Sequence, residues 1–169
     1  MIRVLALDID GVLTDGKVTL DETGRELKTL SYRDIDAVFA ARFRGVQVVL
    51  VTGEASPWVD MFARRLEVSH VVRDAKDKCL AVRRLCEELG VDLEQVCFVG
   101  DSRRDAEALA IVGLGLAPAD ATKEARVAAH RVLNHRGGDG AVAEAVDIVL
   151  GTLGVEGRAE PGAEETASA

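Results

Sequence analysis

MIRVLALDIDGVLTDG, residues 1–16, decides the fold. Ile2–Asp8 (IRVLALD) is an apolar, β-rich run that closes on acidic residues, and it reads as a strand. Asp8-Ile9-Asp10-Gly11 then turns the chain, with glycine at the point of reversal. Downstream, short β-rich runs alternate with longer helical patterns. Strands are expected at Val46–Val51, His70–Val72, Gln95–Val99, Leu114–Ala117 and Arg131–Leu133. Helices are expected at Asp34–Phe43, with Ile35, Val38, Phe39 and Phe43 on one face, and from Ser56-Pro57, where Ser is the N-cap and Trp58, Phe62 and Leu66 form the stripe. Further helices are expected at Lys76–Leu89, Arg103–Val112, Thr122–His130 and Asp139–Leu150. Strands separated by helices of this length imply right-handed βαβ units. The predicted fold class is α/β, a Rossmann-like open parallel sheet with helices on both faces. Lys17–Leu20 and Arg25–Ser31 read as the arms of a small β-hairpin, about 17–31, inserted after the first strand.

The composition agrees. The 169 residues suit a single domain, expected over 1–153. Only six residues are aromatic, so the core must be aliphatic, which suits a parallel sheet covered on both faces. From about Gly154 to residue 169 the sequence shifts to Gly, Ala, Glu, Pro, Thr and Ser without periodicity, and a disordered tail is expected. A net charge of −8 argues against nucleic acid or anionic membrane as partners. No apolar run reaches the roughly 18 residues of a spanning helix. The N-terminus reads as a strand and not as a signal peptide. Cys79, Cys86 and Cys97 lack any C-x-x-C spacing and are expected as reduced core residues of a cytoplasmic protein.

Ligands of an open α/β sheet sit off the carboxyl ends of its strands. The first strand is followed by Asp8 and Asp10, the second core strand by Thr52-Gly53-Glu54, and the QVCFV strand by Gly100-Asp101, with Asp105 one turn on. Lys76-Asp77-Lys78 opens the helix that carries Val82. Asp8, Asp10 and Asp101 repel unless a cation joins them. A hard, oxygen-rich site with room for water suits Mg²⁺. The lysine then provides a second positive charge for an anion that also touches the metal, and a phosphoryl group fits that pattern. Asp8 could attack phosphorus as a nucleophile, and Asp10 could serve as general acid and then base. Lys78 is the favoured lysine, with Lys76 a neighbouring candidate.

DIDGVLTDG at 8–16, VTG at 51–53, Lys78 at a helix start and VGDSRRD at 99–105 resemble, in order, the four motifs of the haloacid dehalogenase superfamily. The early hairpin, the run DKCLAVRRLCEELGVDLEQVCFVGD and the late RGGDGAVAEAVD are similar to the capless 3-deoxy-octulosonate 8-phosphate phosphatases. They also resemble the related nine-carbon sugar-acid phosphatases. The likeness spans about residues 2–151. It implies a phosphomonoesterase acting on an eight- or nine-carbon 3-deoxy keto sugar acid phosphate. Asp8 would be the nucleophile and Asp10 the acid/base. Mg²⁺ would lie on Asp8, the Asp10 main-chain carbonyl and Asp101. Thr52 and Lys78 would hold phosphate, with Asp105 and Ser102 behind the ligands. Gly53, Glu54, Arg65 and Arg104 are the expected substrate contacts.

The fourth motif departs from the family pattern: Ser102 stands where an Asp is usual and Arg104 where an Asn is usual. The later Asp-Gly-x-Gly reads Asp34-Ile35-Asp36-Ala37. A catalytically degenerate binding or scaffold subunit therefore stands beside the phosphatase, and so does a phospho-acceptor signalling domain, because receiver domains also use Asp, Thr, Lys and Mg²⁺. Arg103 and Arg104 read either as a solvated helix start or as contacts for a substrate carboxylate. His135-Arg136-Gly137-Gly138 reads either as a plain loop or as a segment that closes the site. His70 and His130 read as structural or exposed. The family lacks a cap domain, and the resemblance implies a homotetramer through the hairpin. Val18, Leu20, Leu27 and Leu30 make that ribbon apolar, and a two-stranded ribbon is marginal alone.

Overall fold

The structure is a computed structural model and describes residues 1–155. Its elements, in chain order, are β1 (Val4–Leu7), β2 (Thr19–Leu20), β3 (Glu26–Leu27), α1 (Tyr32–Phe43), β4 (Gln47–Val51), α2 (Pro57–Arg65), β5 (His70–Val72), α3 (Lys78–Leu89), β6 (Val96–Val99), α4 (Ala106–Ile111), β7 (Leu114–Ala117), α5 (Lys123–Ala128), β8 (Arg131–Val132) and α6 (Ala141–Val155). Six strands form one parallel sheet in the order β5-β4-β1-β6-β7-β8. β2 and β3 form a separate antiparallel ribbon. The expected α/β class, parallel sheet and inserted hairpin are all present. Only the hairpin region lies between β1 and α1, so no cap domain is inserted there.

Strand alternation builds two cores. Leu5 and Leu7 of β1 join Val48, Leu50, Cys97 and Val99 against Val38, Phe62, Leu66, Val142 and Val146 of α1, α2 and α6 and their ends. Val4 and Ala6 face the other way. They join Val49, Val51, Val96 and Phe98 against Val82, Leu85, Leu109 and Ala125 of α3, α4 and α5. The central strands are thus buried on both faces, and this is why they are apolar runs rather than alternating ones. Cys86 and Cys97 are buried, Cys79 is half-buried, and all three are free thiols.

β1 is the switch point of the topology. The chain pairs β4 on one side of it, adds β5 outside, and then crosses back to place β6 on the other side. The crevice at such a point lies off the strands' carboxyl ends. Asp8, Thr52 and Asp101 follow β1, β4 and β6 there.

Several expectations change in detail. Phe43 is 91% exposed. The buried residues of α1 are Asp34, Ile35, Val38 and Ala41. At about 100° per residue, Phe43 projects from the opposite side of the helix from the centre of that stripe. The third helix starts at Lys78 and not at Lys76, because the Asp77 carboxylate caps it, accepting from the Leu80 amide at 2.8 Å. Ser56 holds the N-cap position of α2 without a side-chain cap bond; its hydroxyl donates to Glu54 at 2.9 Å. The stretch 103–112 begins as a 3₁₀ turn before α4. The hairpin arms pair over two residues each, closed by Asp21, whose carboxylate accepts from the Thr23 and Arg25 amides. Of the segment expected to be unordered from Gly154, Gly154 and Val155 continue α6, and residues 156–169 lie outside the described residues. No described helix is long and apolar enough to cross a membrane.

Candidate active site

Asp8 follows β1 directly, with its side chain buried. One oxygen accepts from the Ile9 amide at 2.7 Å, and the other lies 2.5 Å from the Lys78 ammonium. Beyond it the backbone leaves helical geometry at Asp10 and reverses at Gly11, where φ is +82°. Glycine is required there twice over. The conformation is left-handed, and a Cβ would overlap the Asp101 carboxylate. Thr14 is fully buried and fastens the turn, its hydroxyl accepting from the Gly11 and Gly16 amides.

Lys78 is the first residue of α3 and its side chain is 4% exposed. A cation is disfavoured at a helix N-terminus, and here two carboxylates hold it: Asp8 at 2.5 Å and Asp105 at 2.6 Å. Asp105 is fully buried, and its second oxygen accepts from the Asp101 amide (3.1 Å), the Ser102 amide (2.8 Å) and the Ser102 hydroxyl (2.8 Å). Lys78 therefore has its carboxylate partner without an Asp at position 102. Ser102 supports that partner instead.

Asp101 completes the cluster. Oxygens of Asp8, Asp101 and Asp105 lie within 4.8 Å of one another. Asp101 Oδ1 is the one buried side-chain polar atom without a hydrogen-bond partner among the described residues. Such an atom is costly unless something else occupies its lone pairs. The electrostatics agree. Burial pushes the Asp8 carboxyl up to about 6 even though Lys78 pulls it down. Burial, reinforced by the charges of Asp8 and Asp105, pushes Asp101 up to about 7. Burial alone would lower Lys78, but Asp8 and Asp105 outweigh it and raise the ammonium above its ordinary value. Two carboxylates short of positive charge, one with a free oxygen, fit a hard divalent cation. Asp105 is fully buried and does not line the cavity, whereas Asp8 and Asp101 do, so Asp8 and Asp101 are the carboxylates placed to ligate.

Asp8, Lys78 and Asp101 line a cavity of about 690 Å³ with Asp10, Thr52, Gly53, Glu54, Ser102, Arg103 and Arg104. Thr52 is buried, and its hydroxyl accepts from the Glu54 amide at 3.1 Å. Lys76 reaches the same cavity, its ammonium donating to the Gly53 carbonyl at 2.9 Å. Arg103 and Arg104 are exposed on the cavity wall. Arg65 is not brought to this cavity. Its guanidinium lies 5.6 Å from the Tyr32 ring centroid and borders a separate groove. The His135–Gly138 loop buttresses the site from behind: the Gly138 amide donates to the Val12 carbonyl at 2.9 Å, and Gly137 packs on Gly11 too closely for any Cβ. His130 is structural, its Nδ1 accepting from the Gly115 amide.

Sequence reasoning missed Lys28. Its side chain is 2% exposed, and the ammonium donates to Asp10 Oδ1 at 2.8 Å and lies 3.7 Å from Glu54 Oε2. Nothing local marks a hairpin lysine as bound for a site eighteen residues upstream.

A sequence model of the haloacid dehalogenase-like hydrolases matches residues 55–146. The 3-deoxy-D-manno-octulosonate 8-phosphate phosphatase KdsC of Yersinia pestis is 34% identical over 149 residues, covering 88% of this chain and 80% of the relative. Among solved structures, the 3-deoxy-D-manno-octulosonate 8-phosphate phosphatase of Moraxella catarrhalis, in complex with magnesium, phosphate and KDO, superposes with a TM-score of 0.85 at 29% identity, covering 89% of this chain and 86% of that one. The cobalt-bound deoxy-D-mannose-octulosonate 8-phosphate phosphatase of Haemophilus influenzae gives 0.85 at 31% identity, covering 90% of each chain. With four motifs gathered at one sheet edge and no cap inserted, the chain belongs to the haloacid dehalogenase-like hydrolases, as a phosphatase of the 3-deoxy-D-manno-octulosonate 8-phosphate phosphatase family.

Proposed function

We propose that the chain is a Mg²⁺-dependent phosphomonoesterase that acts through an aspartyl phosphate on Asp8. Its substrate is the phosphate ester of an eight- or nine-carbon 3-deoxy keto sugar acid. The observation that carries the metal-assisted reading is the unpartnered Asp101 oxygen within reach of the Asp8 carboxylate. Asp8, Asp101 and the Asp10 main-chain carbonyl would hold the cation, which when bound neutralises charge on the phosphoryl oxygens.

The remaining work falls to side chains of this chain. Thr52 and Lys78 bind the phosphoryl oxygens and orient phosphorus toward Asp8. An Asp8 oxygen forms the new bond to phosphorus as the ester P–O bond breaks, and Asp10 gives its proton to the departing sugar oxygen. Asp10 then takes a proton from a water that attacks the aspartyl phosphate, which frees inorganic phosphate and restores Asp8. Asp105 keeps Lys78 in place through both steps. Glu54 and Arg104, on the cavity wall, suit a sugar hydroxyl and a substrate carboxylate. The substrate class is supported by the named activity of the relatives and by the KDO in the Moraxella structure.

We also propose that copies assemble through the hairpin into a homotetramer. Val18, Leu20 and Leu27 are 48%, 62% and 42% exposed on the ribbon, and a neighbour would cover both them and the uncapped cavity. Three free thiols agree with a reducing, cytoplasmic location.

The test is phosphate release from a panel of phosphorylated sugar acids, with 3-deoxy-D-manno-octulosonate 8-phosphate and nine-carbon analogues included, compared by kcat/KM with Mg²⁺ and with EDTA. Turnover that disappears on chelation and in Asp8→Asn supports the reading. Turnover that survives both overturns it. Metal binding with no turnover on any member favours the degenerate subunit.

A further inference from the structure

The hairpin region ties one charged group to two residues of the cavity wall, Asp10 and Glu54, and it does so in a costly way. Lys28 lies just beyond β3, and its side chain is almost wholly buried although it sits in a surface ribbon. Lysine is rarely buried unless paired. Its head group donates to Asp10 Oδ1 at 2.8 Å, with Glu54 Oε2 3.7 Å away. Asp10 needs such a tie. Its side chain is 36% exposed, and it stands in the non-helical turn immediately before the left-handed Gly11. The other Asp10 oxygen accepts no hydrogen bond among the described residues, and Asp10 lines the cavity.

We propose that Lys28 is a positioning residue for the hydrolytic half of the reaction. It holds the Asp10 carboxylate by one oxygen, so that the other is presented to the water that attacks the aspartyl phosphate. This rests on the reading of Asp10 as acid/base given above. The tie matters most in the second step, where one water must be aligned with the free Asp10 oxygen. The contact also links reaction and architecture: the ribbon exposes apolar side chains outward and delivers a cation inward, so the segment that would meet another copy is the one that orients the proton acceptor.

Pre-steady-state kinetics with p-nitrophenyl phosphate separate the two steps, because nitrophenolate leaves without needing a proton. Lys28→Met is expected to keep a nitrophenolate burst of one per site while the steady rate falls. The ratio of burst rate to steady rate should rise about tenfold or more, within the ~10²–10⁴-fold that a general base contributes. Lys28→Arg should recover part of the steady rate. Lys28→Gln, polar and of similar length, replaces the Met variant if circular dichroism finds that one unfolded. Asp10→Asn is the control. If it raises the ratio and the Lys28 variants slow both phases equally, Lys28 is merely structural and the inference fails. If Asp10→Asn itself leaves the ratio unchanged, the role given to Asp10 falls, and the inference falls with it.

Discussion

Replacing Lys78 by Met tests the electrostatic construction of the site most directly. The methionine is close in length to lysine and apolar, so the substitution removes the charge with little change of packing volume. In the native protein this buried ammonium lies 2.5 Å from Asp8 and 2.6 Å from Asp105, with Asp101 in the same cluster. Without it, three carboxylates share one buried space with no cation. Breaking a buried pair by removing one partner costs about 3–5 kcal/mol, a large part of a typical total of about 5–15 kcal/mol. At about 2–4 °C per kcal/mol for a domain of this size, the melting temperature should fall by about 6–20 °C. Thermal melts followed by circular dichroism in EDTA near pH 7.5 measure the loss. The sign of its pH dependence follows from the native groups. Asp8 is raised to about 6 and Asp101 to about 7, so each favours its protonated form in the folded state. Such a group contributes stability below its unfolded pKa and loses it as pH rises through the folded one. Lys78 lowers both groups, so its removal raises them further. The deficit of the variant should therefore be small near pH 5 and grow toward pH 7.5. A variant within about 1 kcal/mol of wild type at pH 7.5, below the range for a broken buried pair, or a deficit indifferent to pH, would refute the reasoning.

Mg²⁺ should stabilise the wild-type protein near pH 8 and lose that effect as pH falls through about 7 and then 6, because protons take Asp101 and Asp8; thermal shift across pH checks this, and a shift that persists unchanged at pH 5 counts against these ligands. Gly11→Ala should cost about 1–3 kcal/mol for the left-handed backbone alone and should also abolish the Mg²⁺-dependent shift, since its methyl meets the Asp101 carboxylate; a folded variant that keeps full metal response contradicts this. Replacing Leu20 and Leu27 together by Lys should reduce the solution mass by light scattering while leaving circular dichroism unchanged, because both side chains are exposed on the ribbon; an unaltered mass places the assembly surface elsewhere.

Much of the fold could be read in advance, for a local reason. The central strands β1, β4, β6 and β7 are largely apolar runs bounded by turn residues, and Gly90, at φ +63°, ends α3 where the sequence stops its helix. Phe43 escaped because a helix stripe read from apolar residues alone drifted past the true buried face, which is set by what α1 packs against. The start of α3 was legible in Asp77 but was masked by a lysine on either side. The place of Arg65, beside Tyr32 and away from the cavity within this chain, is set by how α2 packs near α1 and has no local sequence signal.

By itself the sequence determined the alternating strands and helices, and hence that Asp8, Thr52 and Asp101 would emerge at one edge, because side-chain periodicity and strand-end loops are properties of neighbouring residues. The tertiary structure alone decided that Asp105 holds Lys78, that Ser102 supports it, that one Asp101 oxygen is left unpartnered and that Lys28 reaches Asp10. Those are distances between segments far apart in the chain, and they exist only once the sheet order and the Gly11 turn have brought the segments together.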